Sequence, residues 1–148
     1  MTEAKPPLVV VLTGPSGVGK DSVFDRMVTR GVPVARPATM TTRGPRPGEQ
    51  EGVHHYFVTP DQFRQHVAAG ELLEHAEVYG NLYGVPRKAV RAALDSGSDV
   101  VIRVDIQGAE TLHALLPDAL FVCLTADGID DLRERLLRRQ TESPEDIE

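Results

Sequence analysis

The stretch Leu8-Val9-Val10-Val11-Leu12-Thr13, followed at once by Gly14-Pro15-Ser16-Gly17-Val18-Gly19-Lys20-Asp21, decides the fold class. Its first six residues are apolar and rich in β-branched side chains. A run of that length and composition reads as a strand buried on both faces. The next eight have the spacing G-x-x-x-x-G-K of a phosphate-binding loop. Glycines let the backbone curl with its N–H groups inward, the following helix adds the positive end of its dipole, and Lys20 reaches the β- and γ-phosphates. From Asp21 to Arg30, Val23, Phe24, Met27 and Val28 share one helical face, and Gly31 is a stop. The strand before and the helix after separate this loop from a glycine-rich structural turn. Gly14, Pro15, Ser16, Gly17, Val18, Gly19, Lys20, Asp21 and Ser22 are therefore the expected phosphate cradle. One position departs from the pattern: Asp21 stands where a serine or threonine hydroxyl normally meets Mg²⁺. A carboxylate is also a hard oxygen ligand, so Asp21 is expected to bind the metal. The blander reading is a first-turn acid favoured by the helix dipole.

Working outward, strands and helices alternate. Thr59-Pro60-Asp61-Gln62 carries a capping box with proline in the first turn, opening a helix to about Gly70. Glu71 to Val78 reads as a strand and YGNLYG as turns. Pro86 opens a helix to about Gly97, and Asp99 to Asp105 is a buried strand. Gln107 to Leu116 is a helix stopped by Pro117, Ala119 to Thr125 a third buried strand, and Ile129 to Gln140 an amphipathic helix. Short apolar strands alternating with helices imply a parallel α/β sheet.

The 148 residues fit one domain. With 41% hydrophobic and 26% charged residues the composition is that of a globular chain rather than a disordered one. One cysteine, Cys123, excludes an internal disulfide and a cysteine-cluster zinc site. No apolar run approaches the length of a membrane span, and the polar start MTEAKPP has no signal-peptide core, so a cytoplasmic protein without a membrane partner is expected. A formal charge of −6 argues against general nucleic-acid binding. Against that background Arg26, Arg30, Arg36, Arg43 and Arg46 fall between residues 26 and 48 with no acid among them. Such a stretch is either a solvated face or a local anion site.

Four further segments carry a family resemblance. Thr41-Thr42-Arg43-Gly44-Pro45-Arg46-Pro47-Gly48-Glu49 with Gly52 resembles the TTRxPRxGExxG signature of guanylate kinases. ELLEHAEVYGNLYG, containing Glu74, resembles their E(W)A…GNxYG segment. Val104-Asp105-Ile106-Gln107-Gly108-Ala109 resembles their DxQGA strand end, and RERLLRRQTESPEDIE their ATP lid. These occur in family order across essentially the whole chain. The resemblance is to the bacterial-type guanylate kinases, which are P-loop nucleoside monophosphate kinases.

The resemblance implies a transferase that passes the γ-phosphoryl of ATP to GMP with Mg²⁺, in line and without a covalent intermediate. It implies Lys20, Arg43, Arg46, Arg135 and Arg139 as the catalytic cations, with Arg43 and Arg46 clamping the GMP phosphate bidentately. Tyr83 adds a hydroxyl to that phosphate. Thr39 takes the place of a base-contacting serine, and Asp105 lies near the base and the metal-phosphate region. Glu74 would accept both the ring N–H and the amino group of guanine, and strand alternation puts it on one face with Leu72, Ala76 and Val78.

There are departures from the family pattern. Arg103 replaces a strand-end aspartate, Val85 a hydroxyl residue, and His55 a phosphate-binding tyrosine. On strand alternation His55 points to the GMP phosphate and Tyr56 away. A protonated imidazole there would add charge and titrate near ~6.5 if unperturbed. The chain reaches Glu148 inside the lid, before the family's last core strand and helices. His66, His75 and His113 receive no role.

The implied fold is an α/β P-loop NTPase: a three-layer core with a parallel sheet, plus an inserted GMP-binding subdomain with a small mixed sheet, and a lid. The corresponding boundaries are core 1–38 and 92–132, GMP-binding subdomain 39–91, and partial lid 133–148. Two alternatives remain open at this point. GKDS also resembles ribose 1,5-bisphosphate kinases, and guanylate-kinase-like modules of scaffold proteins bind without catalysing.

Overall fold

The computed structural model describes residues 5–15 and 17–126. Along the chain lie β1 (Val9–Thr13), α1 (Lys20–Thr29), β2 (Val34–Ala35), β3 (Thr39–Thr41), β4 (His55–Phe57), α2 (Pro60–Ala68), β5 (Leu72–Val78), β6 (Asn81–Pro86), α3 (Arg87–Asp95), β7 (Asp99–Arg103), α4 (Ile106–Leu115) and β8 (Leu120–Cys123). The helix expected at 129–140, the lid segment 133–148 and Ser16 lie outside the described residues.

One sheet has the order β2-β7-β1-β8, with every pairing parallel. The valine-rich β1 and β7 are inner strands, which is why they read as unbroken apolar runs. Alternation sends Val11, Val100 and Ile102 to one face, where Val90 of α3 and Leu112 of α4 cover them. Leu12 and Val101 go to the other face, against Phe24 of α1. Helices on both faces of a parallel sheet make the three layers. β8 was expected to be buried, but Leu120 is 50% exposed. Among the described residues β8 is the edge of its sheet, with β1 on one side only.

The second sheet has the order β4-β3-β6-β5. β3 and β4 pair in parallel and the other two pairings are antiparallel, so the sheet is mixed. Behind it lies α2, whose Phe63 is 1% exposed between Met40 and Leu72. The Thr59–Gln62 capping box that starts α2 is formed, with Gln62 N–H donating to Thr59 Oγ1 at 3.2 Å and Thr59 N–H to Gln62 Oε1 at 2.9 Å.

Two features of this sheet differ from the sequence reading. YGNLYG is a turn only at Tyr79-Gly80, where φ is 50° and 78°. Two consecutive positive φ values between paired Val78 and Asn81 fit a type I′ hairpin, and the remainder is strand β6. Further, the β5–β6 register slips between Leu72 and Glu74. The extra residue in β5 ends simple alternation. Leu72 and His75 both meet Phe63, while Glu74, Ala76 and Val78 line a cleft; Glu74 and Leu72 therefore do not share a face.

Candidate active site

A cleft of about 180 Å³ opens between the carboxyl ends of β1 and β7 and the inner face of the second sheet. That edge of a parallel sheet is where such folds bind ligands. On one wall is the glycine loop. Gly14 has φ 146°, and a Cβ there would stand 2.5 Å from the Leu124 carbonyl oxygen, so the loop can pass beside β8 only as glycine. Gly19 precedes α1 with φ 104°, and no side chain caps that helix, which leaves its first-turn N–H groups facing the loop. Lys20 Nζ donates to the Gly14 carbonyl at 2.7 Å. Gly17, Gly19, Lys20, Asp21 and Ser22 line the cleft, whereas Gly14, Pro15 and Val18 shape the loop behind it.

Asp21 is not a free carboxylate. It forms an ion pair with Arg103 at the end of β7 and lies 3.7 Å from Arg36 Nη1. Arg36 also pairs with Asp25 at 4.0 Å and sits 4.9 Å over the Phe24 ring.

The opposite wall brings together Thr39, Arg43, Arg46, His55, Glu74 and Tyr83. Arg43 donates from Nη1 and Nη2 to the two Glu49 oxygens at 2.7 and 2.9 Å. Glu49 Oε1 also accepts the Arg46 backbone N–H at 2.7 Å, so one carboxylate ties the whole arginine loop. Burial pushes Glu49 up, but its bonds from Arg43 and Arg46 outweigh that and hold it at about 2. Burial pulls Arg43 down, and its bonds to Glu49 and Tyr83 more than offset this, leaving it raised.

His55 faces the cleft and is 5% exposed, while Tyr56 is 37% exposed, as strand alternation required. Its Nδ1 lies 2.7 Å from Thr39 Oγ1, and its Nε2 lies 3.2 Å from Arg43 Nη2 and 3.3 Å from Glu49 Oε2. The expected protonated imidazole is corrected here. Burial and then Arg43 lower His55 to about 4, against the pull of Glu49, so the ring is neutral at neutral pH.

Glu74 reaches the cleft from β5 and is 5% exposed, with no hydrogen-bond partner at Oε2. Burial, then the negative charge of Asp105, raises its carboxyl to about 7. Its Oε2 occupies space left by Gly108, where a Cβ would lie 2.8 Å away. Asp105 also lines the cleft, and its Oδ1 accepts the Gly108 N–H at 2.9 Å as the N-cap of α4. Arg135 and Arg139, the expected lid cations, lie outside the described residues.

A family model described as guanylate kinase matches residues 7–148. The chain belongs to the guanylate kinase family. It is 46% identical to the guanylate kinase of Streptomyces coelicolor over 142 residues, covering 96% of this chain and 72% of that one. Identity to the Alkalilimnicola ehrlichii guanylate kinase is 43% over 143 residues, with 97% and 70% coverage. Identity to the guanylate kinase of Clostridium perfringens is 36% over 140 residues, with 95% and 65% coverage, so the chain spans just under two thirds of that relative's length. The crystal structure of guanylate kinase from Anaplasma phagocytophilum superposes with a TM-score of 0.74 at 30% identity, covering 90% of this chain and 68% of that one.

Within this guanylate kinase fold the sequence reading gave no role to Glu49 or Arg36 and recorded Arg103 only as a departure. Glu49 carried a usable signal, being the first acid after an arginine-rich run. Arg36 and Arg103 meet Asp21 only through the fold, and no local pattern announces them.

Proposed function

We propose that the protein phosphorylates GMP to GDP at the expense of ATP, by direct in-line transfer of the γ-phosphoryl group. The observation that carries this reading is Glu74: a buried carboxylate with an unpartnered oxygen facing a cleft whose other wall is a phosphate-binding loop. A buried unpaired acceptor is costly, and a base with two adjacent donors would satisfy it. Guanine presents such a pair, whereas adenine presents an acceptor at the ring position. Arg43 and Arg46, with Tyr83, would hold the phosphate of GMP; Glu49 pre-orients the Arg43 fork. His55 serves as a neutral ring that fixes Thr39 and Arg43 rather than as a charge. Lys20 and the loop N–H groups would hold the ATP phosphates, and Arg135 and Arg139 would close over them. Transfer then needs only two oxygens in line and neutralised charge. A cytoplasmic setting accompanies this reading; among the described residues no helix is long and apolar enough to cross a membrane.

Mg²⁺ is expected with ATP, where it would neutralise phosphate charge. Arg103 and Arg36 both reach Oδ1 of Asp21, so a metal held by that oxygen would compete with two guanidinium groups. Among the described residues no group of three or more His, Cys, Asp or Glu could hold a metal ion.

A coupled assay offering GMP, AMP and ribose 1,5-bisphosphate with ATP tests the reading. Turnover is expected with GMP alone. Glu74→Gln presents an amide donor to a guanine donor and should weaken GMP binding by ~1–3 kcal/mol in calorimetry. Arg43→Lys and Arg46→Lys should depress turnover and GMP binding with ATP binding nearly intact. Equal loss for ATP would assign the clamp to the other nucleotide, and turnover of ribose bisphosphate would replace the reading altogether.

A further inference from the structure

Asp21 and Arg103 are the two residues of the loop wall that depart from the family pattern, and the fold brings them together across 82 positions of sequence. Asp21 is in the first turn of α1, beside Lys20. Arg103 ends β7, paired with Leu12 of β1, at the sheet edge from which the glycine loop leaves. Both line the cleft together with Gly17, Gly19 and Lys20. The Arg103 side chain is 13% exposed, and burial lowers its pKa to about 10, which still leaves it a cation at neutral pH. One Nη donates to Asp21, but Nε is buried with no hydrogen-bond partner. A guanidinium carries five N–H donors in a rigid fork. A buried cation with donors left over wants a further anion with several acceptor oxygens. A nucleotide phosphate held on the adjacent loop has them.

We propose that Arg103 is a phosphate-contacting residue for the nucleoside di- or triphosphate seated on the glycine loop, and that Asp21 positions it. This deepens the kinase reading and rests on it. Asp21 is the anchor that fixes the fork at the end of β7, and Arg103 in turn screens the Asp21 charge from the phosphates. An acid at the first turn of a phosphate loop is tolerable only while that screen is present. The pair therefore acts as one unit: Asp21 without Arg103 is worse than both or neither, and Arg103 without Asp21 loses its positioning.

The test is calorimetric titration of the full chain with ADP, and separately with GMP, in excess EDTA so that no metal enters. Arg103→Gln is expected to weaken ADP about tenfold or more, the scale of a charge-assisted bond to phosphate. GMP affinity should not change. Arg103→Lys should recover part of the loss, because it keeps the charge without the fork. Asp21→Asn should weaken ADP in the wild-type background, where it frees the guanidinium. In the Arg103→Gln background it should strengthen ADP, by removing an unscreened anion. A purely structural ion pair predicts no such reversal of sign. Thermal melting of each variant separates loss of folding from loss of contact, and Arg103→Lys carries the comparison if the glutamine variant melts early. The proposal is overturned if ADP binds Arg103→Gln as tightly as wild type, or if Asp21→Asn has the same effect in both backgrounds. A wild type that binds ADP but not GMP sinks the GMP reading and leaves the Arg103 comparison decisive on its own. A wild type that binds neither overturns both.

Discussion

Glu74 and Asp105 are two carboxylates on one cleft, and their surroundings separate them. Asp105 is spent on the Gly108 N–H, seating the N-terminus of α4, while Glu74 has an oxygen with no partner. The first was read from sequence only as a family position; its capping role comes from the fold. The second was legible, because a carboxylate sharing a strand face with Ala76 and Val78 must find partners or stay protonated, although the register shift takes Leu72 off that face. Asp105→Asn keeps a good N-cap and removes the charge that opposes ionisation of Glu74. The Glu74 carboxyl should then titrate below about 7 yet stay above its ordinary 4.5, since burial is the larger cause. Carbon-13 titration of the Glu74 side chain reads this directly, and an unmoved midpoint would leave burial as the only cause. Asp105→Ala also loses the cap and should cost ~1 kcal/mol in urea denaturation, where Asp105→Asn costs little.

At the scale of elements, the parallel core could be read from β1, β7, α1 and α4, because their periodicity and their glycine and proline punctuation agree. β6 could not. A glycine and a proline in NLYGVP speak against a strand, and local propensity loses to packing on both sides. Gly84 shows how. A Cβ there would stand 2.7 Å from Leu72 Cδ1, 3.1 Å from Phe63 Cζ and 3.3 Å from the Glu74 carbonyl oxygen. β6 thus carries a missing side chain at the place where β5 and α2 close in, and no local rule identifies that as a strand. β2 and β3, two and three residues long, are below the length at which a period can be seen. Gly84→Ala is expected to destabilise by ~1–3 kcal/mol through overpacking, measured by thermal or urea denaturation. Wild-type stability in that variant would show that Leu72 yields freely and that the β5–β6 contact is loose.

Across the whole molecule, the cleft holds two buried titratable groups whose protonation couples to folding with opposite sign. Glu74 is raised from 4.5 to about 7. Between those values the unfolded chain gives up the proton and the folded chain keeps it, so stability is lost as pH rises. The full cost, present above about 7, is roughly 3 kcal/mol at 1.36 kcal/mol per pKa unit. His55 is lowered from 6.5 to about 4. Between those values the unfolded chain takes up a proton that the folded chain refuses, so stability is lost as pH falls, again by roughly 3 kcal/mol below about 4. The two windows overlap between 4.5 and 6.5, where the opposing slopes nearly cancel, so the wild type conceals both. Single variants separate them, because other groups titrate alike and drop out of the difference from wild type. Glu74→Gln should gain stability over the wild type at pH 8 and lose that gain towards pH 4.5. His55→Gln should show no electrostatic gain at pH 7 and a growing one towards pH 4. Urea denaturation from pH 4 to 8 measures both differences. If each stayed constant with pH, neither group would be held in its unusual protonation state by the cleft. If only the histidine difference were flat, the imidazole would titrate in the folded protein near its ordinary 6.5 and carry charge below it, and GMP affinity would then fall as pH rises through that value.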